Sequence, residues 1–174
     1  MKLKGFKATI DFPEISIDID PYELGQSIGH HKTSEIPISI VYNSRAIRLE
    51  FISGLITSAG EYKDNGYFLR FEDKIVYETV CFIGRSLGFI CEQQLLEGIY
   101  GCKIFGKGCE TIPYLNNVFA GQENTLSSIS VEFIGEGKYC GFMLDGNGRF
   151  LLEDFTVTHN TMIILTYLKY LKEN

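Results

Sequence analysis

Ahead of residue 120, apolar residues recur with helical spacing in some segments and with strand spacing in others. Helices are predicted at residues 21–28, at residues 45–58, and from residue 73 to Gly88, where a glycine can end a helix. Strands are predicted between and after them, at residues 66–71, 89–96 and 99–106. A helix, a strand, a helix and a strand pair in this order predict an α/β half-domain.

From residue 129 onward the pattern is typical of strands alone. Residues 129–134 alternate, and residues 141–144 and 149–152 flank the sequence Asp145-Gly146-Asn147-Gly148. Asp-Gly and Asn-Gly pairs supply the positive φ angles of a tight turn, so these two runs predict a hairpin. The last stretch, residues 161–174, is apolar and fits either a short helix or a strand. The expected fold class is therefore α+β, an α/β half-domain followed by a β-hairpin segment.

Composition narrows the class of protein. The chain has 174 residues, a formal net charge of -6 and five cysteines, with no Cys-x-x-Cys pair. The cysteines predict free or buried thiols in a reducing compartment, and the charge argues against a protein that mainly grips nucleic acid phosphates. No apolar run is long enough for a membrane span, and the start of the chain turns acidic. We expect a soluble intracellular protein, cytoplasmic or nuclear, without a membrane partner.

The residues that carry chemistry stand together at His159-Asn160-Thr161. An asparagine side-chain amide can attack its own backbone carbonyl, close a succinimide ring and break the peptide bond that follows. The preceding histidine can donate the proton that this step requires near neutral pH. The following threonine hydroxyl can first accept an acyl group, so that ring closure releases a joined product. Because the three groups are neighbours, their proximity contributes to lowering the barrier.

The string from Tyr139 to Thr161, YCGFMLDGNGRFLLEDFTVTHNT, resembles the C-terminal splicing segment of inteins. By that resemblance His159 is the penultimate histidine, Asn160 the cyclising asparagine and Thr161 the first residue of the flanking host protein. The resemblance implies part of the all-β Hint fold for this segment. Inteins commonly carry a further histidine in a string like NHRFLL, and Gly148 stands in its place here. Because no Cys- or Ser-led block opens the chain at Met1, we do not expect the chain as it stands to make the first acyl shift. We expect either half of a split intein, with an N-terminal intein half as its partner, or a stranded fragment of a larger gene.

Upstream, the string from Arg48 to Tyr62, RLEFISGLITSAGEY, resembles the LAGLIDADG motif of homing endonucleases. Residues 21–31, PYELGQSIGHH, resemble a first copy of the motif. In that family two such helices pack closely through small residues, and an acid at each helix end helps to bind Mg²⁺ at the DNA. Thr57 and Ala59 stand at the acid positions of one copy and His30 at that of the other. We therefore expect endonuclease activity to be lost, with no metal site and no cofactor, and Mg²⁺ only if the nuclease still works.

The resemblances divide the chain into four segments. Residues 1–36 are expected to be a remnant of the first endonuclease motif, and residues 37–120 a LAGLIDADG-like half-domain of the DOD type. Residues 121–160 are the intein C-terminal segment, and residues 161–174 are a C-extein-like tail. The expected function is intein-mediated protein splicing by Asn cyclisation. As an enzyme, the chain is expected at most to process itself, by autocatalytic cleavage or splicing.

Two alternatives stay open. The chain can be an active or DNA-binding LAGLIDADG homing endonuclease, with double-stranded DNA as a weak partner, or a small soluble α/β module whose resemblances are accidental. The missing carboxylates and the acidic net charge argue against cleavage of DNA. They leave DNA binding through a sheet surface open.

Overall fold

A computed structural model describes residues 3–96, 98–115, 126–130, 132, 135 and 143–159. It divides the chain into two compact units, one formed by Thr9–Asn124 and the other by Met1–Ala8 together with Thr125–Asn174. In chain order the described elements are β1 (Leu3–Lys7), α1 (Pro21–Gly29), α2 (Ile38–Val41), α3 (Arg45–Ala59), β2 (Glu61–Lys63), β3 (Gly66–Phe71), α4 (Lys74–Ser86), β4 (Ile90–Leu96), β5 (Ile99–Phe105), a 3-10 turn (Cys109–Thr111), β6 (Leu126–Ile129), β7 (Arg149–Leu151) and β8 (Thr156–His159).

The helices of the larger unit begin and end where local chemistry favours it. At the start of α1, the Asp20 carboxylate accepts a hydrogen bond from the backbone N–H of Glu23 at 2.9 Å, and Pro21 occupies the first helical position. Asp73 caps α4 in the same way, accepting from the backbone N–H of Ile75 at 2.7 Å. The chain leaves α4 through Gly88, whose φ of 92° lies in the left-handed region. The three predicted helices are confirmed.

The sheet of the larger unit is antiparallel, with the strand order β2-β3-β5-β4. Its inner face packs against α3 and α4 and forms the core. Burial along β3 alternates, with Tyr67, Leu69 and Phe71 inside and Arg70 exposed. The core side chains that are almost fully removed from solvent are Phe51, Ile52, Leu55, Leu69, Val80, Ile83, Leu87 and Ile104. The strands predicted at residues 66–71, 89–96 and 99–106 are confirmed to within one residue.

The smaller unit contains a second antiparallel sheet, with the strand order β6-β1-β8-β7. Strand β1 lies inside it, since Leu3 pairs with Ile129 on one side and Phe6 with Val157 on the other. The start of the chain therefore belongs with its C-terminal part. The predicted first segment, residues 1–36, differs from this division, because hydrogen bonds tie residues 3–7 to strands far along the chain.

The predicted hairpin between residues 141–144 and 149–152 needs a correction. Asp145-Gly146-Asn147-Gly148 does form a turn, in which the Gly148 N–H donates to the Asp145 carbonyl at 3.3 Å. Residues 141–142 lie outside the described residues, and residues 143–144 are not in a strand. Instead, β7 pairs with β8, with Phe150 opposite Thr158. The described part of the chain is a mixture of helices and antiparallel sheets, which is compatible with the expected α+β class.

In the described part of the chain, no helix is both long enough and apolar enough to cross a membrane. The predicted strand at residues 129–134 needs a correction: Ile129 is the last residue of β6, residues 130 and 132 are not in a strand, and residues 131, 133 and 134 lie outside the described residues. The predicted element at residues 161–174 also lies outside them. Four of the five cysteines are described, and all four are free and buried: Cys81, Cys91, Cys102 and Cys109.

Candidate functional site

The backbones of α1 and α3 approach each other closely at two glycines. A Cβ atom placed on Gly25 would overlap the carbonyl oxygen of Phe51, and it would lie 2.7 Å from the backbone nitrogen of Leu55. A Cβ atom on Gly54 would likewise overlap the carbonyl oxygen of Tyr22. Each glycine thus touches the backbone of the other helix. Gly25 and Gly54 occupy equivalent positions in the two motif strings. Each string therefore contributes the same glycine position to this contact.

The two helices also end side by side. A Cβ atom on Gly29 would overlap the hydroxyl of Ser58 and lie 3.1 Å from the Cβ of Ala59. Because His30 directly follows Gly29, His30 and Ala59 lie at the same end of the helix pair. These are the positions at which the endonuclease motif has acids. His30 is exposed, Ala59 is half-buried and Thr57 faces solvent.

The described residues around the helix ends do not provide a metal site. Within the described part of the chain, no group of three or more His, Cys, Asp and Glu side chains is arranged to hold a metal ion. A depression of about 330 Å³ lies beside the end of α1, where His31 and Lys32 face Glu72 and Asp73. Asp73 already caps α4, so its carboxylate is engaged with that helix. The arrangement is a surface of mixed charge.

The outer face of the larger sheet carries both basic and aromatic side chains. In register, Phe68 of β3 lies opposite Lys103 of β5, and Gly66 opposite Phe105. The Lys103 ammonium lies 5.3 Å from the centre of the Phe68 ring and 4.9 Å from that of Phe105, which are cation–π distances. Acids share this face. The Arg70 guanidinium is 3.2 Å from the Glu61 carboxylate, so one of the basic groups is already neutralised by an acid.

In the smaller unit, the hairpin of β7 and β8 carries the first residue of the predicted splicing site. His159 is the last residue of β8, and its pairing partner is Arg149, the first residue of β7. Gly148, which stands where inteins commonly have a further histidine, directly precedes that partner. The backbone therefore brings position 148 next to the C-terminal end of strand β8. Asn160, Thr161 and the side chain of His159 lie outside the described residues.

A polar network holds the connection between β7 and β8. Asp154 accepts hydrogen bonds from the backbone N–H of Thr156 at 3.1 Å and from its hydroxyl at 2.9 Å. The Lys7 ammonium of β1 lies 3.2 Å from the same carboxylate. Burial alone would raise the pKa of Asp154, but the Thr156 hydrogen bonds and Lys7 outweigh it and lower that pKa. Phe155, with a φ of 64°, completes the tight connection.

The sequence did not reveal the role of Arg48, a charged side chain buried in the larger unit. Its guanidinium donates to the carbonyl oxygens of Asn43 at 2.8 Å and Ile10 at 2.7 Å, and to the hydroxyl of Ser86. It also lies 4.9 Å from the centre of the Phe12 ring. Burial lowers the pKa of Arg48. Arg48 thereby fastens the extended segment ahead of α1 onto α3 and the end of α4.

Comparison of the sequence with models of known protein families finds no match, and comparison with curated proteins finds no significant match. What the protein does must therefore be inferred from its own residues and their geometry.

Proposed function

We propose that this chain is the C-terminal part of an intein that acts by Asn160 cyclisation and carries a degenerate endonuclease domain. In this proposal His159 is the general acid and Asn160 the residue that cuts its own backbone. Thr161 is the acceptor of the acyl group that a complementary N-terminal intein half delivers. The larger unit, Thr9–Asn124, is what is left of a DOD-type LAGLIDADG endonuclease.

The pairing of Arg149 with His159 is the observation that most supports the splicing function. It places the start of the RFLL string and the end of the VTH string at the same end of one hairpin. A histidine at position 148 would therefore lie next to the end of β8, directly ahead of Asn160 in the chain. Gly148 cannot transfer a proton, so His159 has to provide all the acid catalysis, and we expect slow cleavage.

The chemistry of the step is balanced within three residues. The Asn160 side-chain nitrogen attacks the Asn160 carbonyl carbon, and the bond from that carbon to the Thr161 nitrogen breaks. The His159 imidazolium gives a proton to the departing amine, and the resulting imidazole takes up the proton that the attacking amide loses. The products are a C-terminal succinimide and a free amino group on Thr161. Without an acyl group on Thr161 the result is cleavage, and with one it is ligation.

The backbone contact at Gly25 and Gly54 supports an endonuclease origin for the larger unit. Both glycines fall at the same position of the two motif strings, and the contact brings His30 and Ala59 to the same end of the helix pair. A carboxylate at each place would offer Mg²⁺ the oxygen ligands that it prefers. Since neither residue is an acid, the proposal includes the loss of DNA cleavage.

Mass spectrometry of the purified chain tests the cleavage step. Incubation near neutral pH should release the peptide formed by residues 161–174 and leave a product shortened by that mass. Asn160→Ala should abolish the release, whereas Asn147→Ala, which changes another asparagine, should leave it unchanged. An intact mass after several days, equal in all three proteins, would contradict the proposal.

Ligation requires a complementary half. Mixing the chain with an N-terminal intein half fused to a reporter should give a reporter joined to residues 161–174. Thr161→Ala should prevent joining but allow cleavage, because only joining uses the hydroxyl. Joining at an undiminished level in Thr161→Ala would show that Thr161 is not the acceptor.

A second candidate function is DNA binding through the outer sheet face, which the basic and aromatic cluster of Phe68, Lys103 and Phe105 favours. Fluorescence anisotropy with labelled double-stranded DNA at two salt concentrations tests it. Binding should weaken with added salt, and Lys103→Glu should weaken it further, while Lys74→Glu on α4 should have little effect. Equal binding by both variants would count against this face.

A further inference from the structure

The core of the larger unit contains four thiols from four different elements. Cys81 belongs to α4, Cys91 to β4, Cys102 to β5 and Cys109 to the 3-10 turn. All are buried, with exposed fractions between 0% for Cys102 and 7% for Cys91. Within the described residues these thiols do not form a metal-binding group. The chemistry open to them depends on which of these thiols contact one another.

Cys81 and Cys102 are in direct contact. Their sulfur atoms hydrogen-bond to each other at 3.5 Å, across the boundary between α4 and the inner face of the sheet. A disulfide bond holds its sulfurs about 2.0 Å apart, so a shift on the order of 1.5 Å would suffice. Rotation about the side-chain bonds of two cysteines can supply such a shift without a change of fold.

Cys91 is the alternative partner of Cys102 but is placed less well. Gln93, not Cys91, is the register partner of Cys102, so Cys91 lies diagonally across the strand pair. Diagonal neighbours have Cα atoms about 7–8 Å apart, whereas disulfides rarely join Cα atoms beyond about 7 Å. The Cys91 sulfur also packs against Gly84 of α4, where a Cβ atom would lie 2.6 Å from it. Cys91 is therefore held in place by the helix.

We propose that Cys81 and Cys102 form a redox pair that closes to a disulfide when hydrogen peroxide reaches the core. In the first step the Cys81 thiolate attacks the outer peroxide oxygen, giving a sulfenic acid and hydroxide, which takes up the Cys81 proton to form water. In the second step the Cys102 sulfur attacks the Cys81 sulfur, and the hydroxyl leaves with the Cys102 proton as a second water. Two thiols are oxidised and one peroxide is reduced.

The surroundings distinguish the roles of the two sulfurs. The hydrogen bond with Cys102 lowers the pKa of Cys81, an effect that burial opposes and that the positive charge of Arg85 reinforces. The same hydrogen bond raises the pKa of Cys102, and a hydrogen bond with Cys91 and burial raise it further. Cys81 is thus the thiol with more thiolate character and the better nucleophile, and Cys102 is the resolving thiol.

Burial sets the conditions under which the pair reacts. With exposed fractions of 1% for Cys81 and 0% for Cys102, peroxide gains access only when α4 separates transiently from the sheet. Once formed, the bond would join α4 to β5 and prevent that separation. The oxidised protein should therefore resist unfolding more strongly than the reduced protein.

Treatment with excess hydrogen peroxide followed by peptide mapping under non-reducing conditions tests the pair. We expect a product lighter by about 2 Da, with the peptide of Cys81 linked to that of Cys102. Sub-denaturing urea should speed its formation, and the oxidised chain should show a higher urea midpoint. Thiol reductant should restore the original mass and midpoint.

Two variants distinguish this pair from random oxidation. Cys81→Ala should abolish the cross-link, and Cys109→Ala, another core thiol replaced in the same way, should retain it. Circular dichroism establishes that both are folded before oxidation. A cross-link of Cys102 to Cys91 or Cys140 in the wild-type chain would overturn the proposal, and so would over-oxidation of Cys81 without any link.

Discussion

Gly25 of α1 and Gly54 of α3 face each other closely. The backbone of the opposite helix occupies the space where a side chain on each glycine would lie. The contact is reciprocal, since Gly25 meets the carbonyl of Phe51 and Gly54 that of Tyr22. Such an approach lets two short helices bury their facing surfaces with few large side chains between them. It also fixes how the two helices end together, at His30 and Ala59.

Gly54→Val should strongly destabilise the larger unit. Two added methyl groups and a branched Cβ would have to enter space that the Tyr22 carbonyl already occupies, and backbone cannot move aside as a side chain can. We expect a loss of about 3 kcal/mol or more in the free energy of unfolding. Urea denaturation measures it as a lower midpoint. Thr57→Val, the same new residue at an exposed position of α3, should change the midpoint little, and equal effects would refute the close approach.

Arg48→Met should cost about 3 kcal/mol of stability, because methionine fills similar space but leaves the Ile10 and Asn43 carbonyls and the Ser86 hydroxyl without their donor. Arg70→Met is the matched control. Its side chain is 57% exposed and pairs with Glu61 at the surface, so its loss should cost less than about 1 kcal/mol. Urea midpoints compare the two. Similar losses would mean that the buried hydrogen bonds do not stabilise the segment ahead of α1.

The Asp154 network predicts a stability loss in acid. Because folding lowers the pKa of Asp154, its contribution is present above the pKa of an unfolded carboxylate, about 4. It is lost as the pH falls from there through the lower folded pKa. Asp154→Asn should therefore melt below the wild type at neutral pH and approach it in acid. Thermal melts across this range provide the measurement. Thr156→Ser keeps the hydroxyl, so its melting temperature should change with pH as that of the wild type does. A difference between Asp154→Asn and the wild type that stays constant at all pH values would exclude the carboxylate as the cause.

Local signals explain which parts of the fold the sequence could predict. Asp20, Asp73 and Gly88 act on residues within one turn of themselves, so the bounds of α1 and α4 follow from the residues there. Alternation along β3 likewise reports its buried face directly. In each case the chemistry that determines the structure lies inside the segment itself.

Long-range pairing explains what the sequence could not predict. Leu3 pairs with Ile129, and nothing within residues 3–7 specifies a partner so far along the chain. The turn at Asp145-Gly146 was predicted correctly, but β7 takes β8 as its partner because Asp154 and Phe155 make a second turn there. Arg48 can be buried because the Ile10 carbonyl and the Ser86 hydroxyl, from other segments, accept its hydrogen bonds together with the Asn43 carbonyl.

At the candidate site, too, the sequence predicted local features but not the long-range pairing. The sequence predicted the turn at residues 145–148, but it predicted no strand at residues 156–159, where the structure has β8. It did not predict that Arg149 would pair with His159, which is what brings Gly148 next to the end of β8. For the helix pair, the sequence predicted a close contact at its glycines. The sequence did not predict that Gly29 would bring the ends of both helices together.

Gly148→His should accelerate release of residues 161–174 by at least about tenfold, since a second general acid beside the Asn160 carbonyl contributes typically about 10² to 10⁴ in rate. Gly148 has a φ of 66°, and histidine tolerates this left-handed region better than most residues, so the hairpin should form. Mass spectrometry over time gives the cleavage rate in each variant.

Gly146→His is the control for that experiment, because Gly146 has a φ of 62° and open space where a Cβ would be added. It carries the same backbone strain and the same imidazole, but it lies two residues further from Arg149, the partner of His159. The rate should therefore rise in Gly148→His alone. A similar rise in both variants would point to a general effect of imidazole on the chain, and no rise in either would mean that position 148 is too far from the bond that Asn160 breaks.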